Sequence, residues 1–233
     1  MDAQFDRVKG ATWFESMRQQ EVMVLGQGGI GSWTSLLLAR AGCSLSLVDM
    51  DDYEEHNMTG QLVRGSDIGR SKVDSAADVV REFSPNTQVE AYHMRYGGEF
   101  TPFNRVTVCG FDNMQARKDA FRVWREGVAN LPEEERKHCF FQDGRLLAEQ
   151  LQIFNIAGDD EESMNKYQEE YLFDDAEVAD AECTFKQTSH SAAMIASHMV
   201  GFFTNFLTNA NSERPIRKVP FFYQYLIPIN RVI

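Results

Sequence analysis

Apolar residues fall along the chain in short continuous runs, separated by stretches whose apolar positions recur with a helical period. Val22 to Gly26 (VMVLG) and Leu45 to Asp49 (LSLVD) have the length and continuity of strands buried on both faces. A glycine-rich turn follows the first of them, and then TSLLLARAG, which predicts a helix ending at Gly42. Lys72 to Phe83 predicts a helix that stops before Pro85. Gln88 to Met94 and Arg105 to Gly110 predict strands, and Met114 to Glu126 a helix. The charged turn around Pro132 to Lys137 leads into another apolar run, Cys139 to Gln142. Strands alternating with helices at this spacing predict an α/β fold, a doubly wound, mainly parallel, Rossmann-like sheet that binds ligands at the carboxyl ends of its strands.

The pattern changes after Gly158. DDEESMNKYQEEYLFDDAEVADAE is strongly acidic and without clear periodicity, which predicts a long mobile crossover loop rather than a separate domain. Ser189 to Leu207 then predicts an apolar helix. VPFFYQYLIPINRVI predicts one or two strands that cover a sheet edge or a dimer surface. The expected organisation is one domain over 1–233: a core at 1–157, an acidic crossover loop at 158–188, and a helix with strands at 189–233.

The charge balance narrows the function. With 23 Lys and Arg against 35 Asp and Glu, the net charge is -12. That argues against a broad nucleic-acid face, which rests on neutralising phosphates with Lys and Arg. Cys43, Cys109, Cys139 and Cys183 are scattered with no C-x-x-C pair, so neither a disulfide framework nor a zinc site is encoded locally. A cytoplasmic location without a membrane anchor is expected, because the first residues carry charges where a signal peptide needs an apolar core.

Between the first strand and helix, GQGGIG supplies Gly26, Gly28 and Gly31 in a G-x-G-x-x-G pattern, with Gly29 between them. Glycine permits a tight turn and close approach to a phosphate, and the following helix presents unpaired N–H groups to an anion. Asp49, at the end of the second strand, can accept hydrogen bonds from ribose hydroxyls. These features imply a nucleotide and leave ATP and NAD both open.

The residues that follow are more specific. Asp49 and Asp51 form D-x-D; then come Asn57 and Gln61, Gly69 and Lys72, and finally Asp112, Asn113 and Arg117 in DNMQAR. Such a set suits attack of a carboxylate on the α-phosphate of ATP, where negative charge accumulates. Lys72 would meet phosphate oxygens, Asn57 would donate a hydrogen bond to them, and Asp112 would hold a hydrated Mg²⁺. A hydride-transferring NAD enzyme has no obvious use for these three. In order and nearly all spacings the set resembles the ThiF/MoeB family of adenylyltransferases, which includes the ubiquitin-activating enzymes. The similarity is clear from Val22 to about Arg117 and weaker to Leu207. The resemblance implies that Asp49 binds the ribose and that Asp51 orients the phosphate-binding residues. It further implies Mg-ATP as cofactor, adenylation of the carboxyl-terminal glycine of a ubiquitin-like or sulfur-carrier protein, and a homodimer.

Several points bear on that expectation. The family's arginine three residues after Asn57 is Gly60 here, with Arg64 and Arg70 as nearby substitutes; a nucleotide-binding scaffold with little turnover therefore stays open. In relatives an arginine from the partner subunit's amino-terminal segment reaches the triphosphate; Arg7 stands in roughly that place, with Arg18 as its rival. The family's zinc-binding cysteine pairs are missing, and the acidic loop in that region favours a partner with basic residues near its tail. Other relatives activate peptide or modified-tRNA carboxylates. Cys183 stands where several relatives carry an acyl-accepting thiol, although a lone cysteine equally suits a small core position. Cys43, Cys109 and Cys139 read as core residues, and His190 and His198 are spaced too far apart for a shared metal.

Overall fold

The computed structural model describes residues 3–97, 101–147, 149–173, 188–214 and 216–233. The elements run α1 (Phe14–Arg18), β1 (Glu21–Leu25), α2 (Gly29–Ala41), β2 (Ser44–Asp49), α3 (Lys72–Phe83), β3 (Val89–His93), β4 (Val106–Cys109) and α4 (Met114–Ala129). There follow α5 (Glu133–Arg136), β5 (Phe140–Leu147), β6 (Gln150–Ala157), α6 (Glu161–Lys166), α7 (Ser189–Ala210), β7 (Phe222–Leu226) and β8 (Arg231–Val232). They build one sheet in the order β3-β2-β1-β4-β5-β6-β7-β8. β1 to β5 pair in parallel, whereas β6, β7 and β8 join antiparallel.

The continuous apolar run of β1 is explained by its two covered faces. Val22 and Val24 pack with α2, α3 and α7 on one side; Met23 and Leu25 pack with α4 and α6 on the other. The terminal strands cover the edge of β6, as the sequence suggests, and β8 forms the new edge.

Two expectations change. The stretch read as an acidic loop begins with helix α6, which continues as a π-helical turn over Tyr167–Tyr171. Met164 and Tyr167 are fully buried, and Tyr171 packs against Phe154 and Phe222, so an apolar stripe at i, i+3 and i+7 lies beneath the acidic residues. Likewise β6 extends the core with an antiparallel strand where none is read from sequence, and β5 runs five residues beyond the expected Gln142. The rest of the crossover stretch, 174–187, with Cys183, lies outside the described residues.

The segment between β2 and α3 is held by local pairing. Tyr53 N–H donates to Arg70 O at 2.9 Å, Gly69 N–H to Tyr53 O at 2.8 Å, and Lys72 N–H to Asp51 O at 3.0 Å. Asp67, buried below, accepts from Arg64 Nε at 2.8 Å and Arg70 Nη1 at 2.9 Å, which holds its carboxyl below the usual range despite its burial. Asp67→Ala frees two half-exposed guanidiniums rather than stranding them. The expected cost is roughly 1–3 kcal/mol, read as a melting point lower by roughly 3–10 °C; an unchanged melting point would mean that the pairings alone fix this segment.

Candidate functional site

The carboxyl ends of β1, β2, β3 and β4 converge on a cleft of about 1020 Å³ lined by Gly26, Gly28, Gly29, Asp49, Asp51, Asn57, Gln61, Lys72, Asp112 and Asn113. It thus gathers every expected cofactor residue except Gly31, which lies immediately behind the loop.

The glycines divide by conformation. Gly26 has φ +84°, the left-handed region that other residues avoid, and its N–H donates to Val48 O at 2.8 Å. Gly28 is the N-cap of the 13-residue helix α2, with no capping side chain. A Cβ on Gly31 would sit 1.7 Å from Gly26 O, so only glycine lets the helix start fold back this close to β1. A helix start left uncapped beside glycine backbone is a ready anion site.

Asp49 is buried, yet each oxygen accepts a backbone N–H: Oδ2 from Gln27 at 2.6 Å and Oδ1 from Asp51 at 2.9 Å. Burial raises its pKa, and those N–H groups and Lys72 oppose the rise without cancelling it. Its remaining lone pairs suit ribose hydroxyls. Lys72 opens α3, whose N-cap Ser71 accepts from Asp74 N–H; its Nζ lies 3.0 Å from Asp51 Oδ2. Asn57 Oδ1 is occupied by Glu54 N–H at 2.8 Å, which leaves its NH₂ group as a donor. Gln61 Oε1 is buried with no partner among the described residues, an orphan acceptor in the cleft wall.

On the opposite wall Asp112 is exposed and accepts a hydrogen bond from Asn113 Nδ2 at 3.4 Å. Asn113 itself caps α4 by accepting Ala116 N–H at 2.8 Å. Among the described residues no three acidic, His or Cys groups cluster as a metal site. Asp112 alone fits a magnesium ion, which is commonly held by one or two carboxylates with phosphates and waters completing its shell. Glycine loop, Lys72, Asp49 and the orphan amide together fit a magnesium nucleotide.

Other expected residues lie elsewhere. Gly60 offers only its carbonyl, which accepts Trp33 Nε1 at 3.2 Å. Neither nearby arginine replaces the missing charge: Arg64 is taken by Asp67 and Glu82, Arg70 by Asp67 and Asp78, and neither lines the cleft. The cleft has a different unpaired cation, Arg95, just past β3, which has no ion-pair partner among the described residues. Arg7 is exposed and follows Phe5, which packs at Gly42, the end of α2 remote from the cleft; Arg18 lies over the Phe5 and Phe14 rings at 5.5 and 5.7 Å. Neither lines the cleft.

Cys43, Cys109 and Cys139 are buried, as expected of core thiols, and burial pushes Cys109 up to about 12 and Cys139 to about 11. His190 meets Thr188 and His198 packs on Tyr223.

Sequence reading named Arg117 in DNMQAR but missed the residues that hold it behind Asp112. Arg117 of α4 ion-pairs with Asp143 of β5, a fully buried carboxylate that also accepts from Arg145 Nε at 2.6 Å and Tyr167 OH at 2.9 Å. The available signal was the QDGRL stretch: two charges at i, i+2 share one face of a strand, and here they follow a buried apolar run.

Comparison with known proteins finds relatives over parts of the chain. The catalytic subunit of the NEDD8-activating enzyme E1 from Caenorhabditis elegans is 34% identical over 116 residues, 48% of this chain and 27% of that protein. A probable adenylyltransferase/sulfurtransferase MoeZ from Mycobacterium tuberculosis is 37% identical over 81 residues, 34% of this chain and 21% of that protein. The chain therefore matches only a minor part of either. Escherichia coli MccB, solved with ATP, shares the fold with a TM-score of 0.66 at 14% identity, over 95% of this chain and 64% of that one. Among the described residues no helix is long and apolar enough to cross a membrane. The ThiF family model matches residues 2–228, and the chain belongs to the ThiF family.

Proposed function

We propose that this chain binds Mg-ATP in the cleft and adenylates a carboxylate, the carboxyl-terminal glycine of a ubiquitin-like or sulfur-carrier protein. The observation that carries the proposal is the convergence of the glycine loop, Asp49, Lys72 and Asp112 on one cleft. In the reaction a carboxylate oxygen attacks the α-phosphorus, the bond from that phosphorus to the bridging oxygen breaks, and pyrophosphate leaves with the electron pair. The start of α2 receives phosphate oxygens, Asp49 orients the ribose, and Asn57 donates to the triphosphate. Lys72, steadied by Asp51, faces the charge that grows during attack. A magnesium ion held at Asp112 would neutralise charge on the phosphates.

In this reading the chain works as a single adenylating domain in a cytoplasmic homodimer, with Arg7 supplied in trans, and Cys183 is the candidate acyl acceptor. A second reading, a nucleotide-binding scaffold with little turnover, is favoured by Gly60 and by the engagement of Arg64 and Arg70 elsewhere.

The test is thermal stabilisation by Mg-ATP and by NAD, followed by ATP–pyrophosphate exchange with small proteins ending in Gly-Gly. Ligand at about 100 times its Kd adds roughly 2.7 kcal/mol, a shift of roughly 5–11 °C for a chain of this size. Stabilisation by Mg-ATP with exchange is the expected outcome. Stabilisation without exchange across peptide and protein carboxylates selects the scaffold, and stabilisation by NAD alone rejects adenylation.

A further inference from the structure

We infer that Arg145 and Tyr167 are positioning residues that hold the Asp112 loop in the geometry its metal-binding role requires. The inference rests on the reading of Asp112 proposed above.

Asp112 is exposed, so its place depends on the backbone around it. The bonds that fix that backbone include Gly110 N–H to Leu25 O at 2.8 Å, Asn113 Oδ1 from Ala116 N–H at 2.8 Å, and the Phe111 carbonyl, which accepts from Arg117. The third is adjacent to Asp112, and its donor is a buried side chain that must itself be held. Arg117 gives its other terminal nitrogen to Asp143 and, at 3.3 Å, to Gly144 O.

Asp143 is the centre of the device. It is 0% exposed and shares one negative charge between two guanidiniums and a phenol. Arg145 also donates to Tyr171 O at 3.0 Å and lies over the Phe154 ring at 4.7 Å, while Tyr167 sits in the π-helical turn that ends at Tyr171. Burial works against the charge on Arg145, and Asp143 more than offsets it, so the guanidinium stays protonated. A continuous polar chain therefore runs from Tyr171 through Arg145, Tyr167, Asp143 and Arg117 to the carbonyl beside Asp112. Each member is oriented by the next, and a carboxylate held from two sides loses its direction when one side is released.

The test is a calorimetric titration of ATP into the full chain over a series of MgCl₂ concentrations, on wild type, Asp112→Asn, Tyr167→Phe, Arg145→Lys and Phe121→Leu. Phe121 packs edge-on against Tyr167 at 4.8 Å but belongs to no part of the polar chain, so Phe121→Leu reports general loosening alone. We expect Tyr167→Phe and Arg145→Lys to raise the magnesium concentration for half-maximal binding by about three- to tenfold, with Phe121→Leu unchanged. Amide hydrogen exchange over residues 110–113 should quicken in the first two variants only, and it reads the same loop if one of them is too unstable for calorimetry. Wild-type behaviour of both variants, beside a shifted Asp112→Asn, overturns the positioning role and leaves the nucleotide site standing. An equal shift in Phe121→Leu also overturns it. Magnesium-independent binding in wild type and Asp112→Asn alike overturns the reading of Asp112 and this inference with it.

Discussion

Lys72→Ala and Asp112→Ala are each expected to slow ATP–pyrophosphate exchange roughly 100- to 1000-fold, a loss of roughly 3–4 kcal/mol in the transition state. The two should differ little from wild type in unliganded stability. The Lys72 side chain is 10% exposed but its partner Asp51 is 54% exposed, so truncation leaves a solvated carboxylate rather than a stranded one. Asp112 is exposed and accepts from Asn113 at 3.4 Å, so its truncation opens no buried cavity. Lys72→Arg should not restore exchange, since a planar guanidinium cannot take the place of a compact ammonium behind Asp51. Exchange within threefold of wild type in both alanine variants would remove these residues from the chemistry. A stabilisation by Mg-ATP that survives both would place the nucleotide elsewhere.

Much of this arrangement was legible because it is written in contiguous, chemically specific residues. Helix α3 begins at Lys72 and ends at Phe83 as its apolar spacing and Pro85 indicate, and the loop from Gly26 to Gly31 stands between a strand and a helix as predicted. What escaped was set by tertiary packing. In the 161–171 segment Glu161, Glu162, Glu169 and Glu170 dominate the composition, while three apolar residues decide the structure by burial against β6. Composition reports the exposed side of such a helix. Arg64 and Arg70 could not be judged from sequence either, because Asp67, which binds both, is an ordinary turn residue until its burial is seen.

The glycine loop provides a second large effect, because its glycines are equivalent in the sequence pattern and unequal in the structure. Gly31→Ala should both destabilise the chain and abolish measurable nucleotide binding. Its Cβ would lie 1.7 Å from Gly26 O and 2.9 Å from Gly26 C, both backbone atoms of a residue already at φ +84°. No rotamer relieves that contact, so the start of α2 must move away from β1. Overpacking of this kind costs roughly 1–3 kcal/mol or more, and displacing a preorganised group by an ångström commonly costs on the order of 100-fold in function. Gly28→Ala is the informative contrast. Nothing lies within 4 Å of a Cβ there, and φ is -73°, which alanine adopts freely. Its melting point without ligand should match wild type, while Mg-ATP binding weakens because the added methyl lies in the cleft where the backbone would approach phosphate. If Gly28→Ala binds Mg-ATP as tightly as wild type, the phosphates do not pass over this loop. If Gly31→Ala keeps both stability and binding, the fit of helix to strand is looser than the 1.7 Å approach requires.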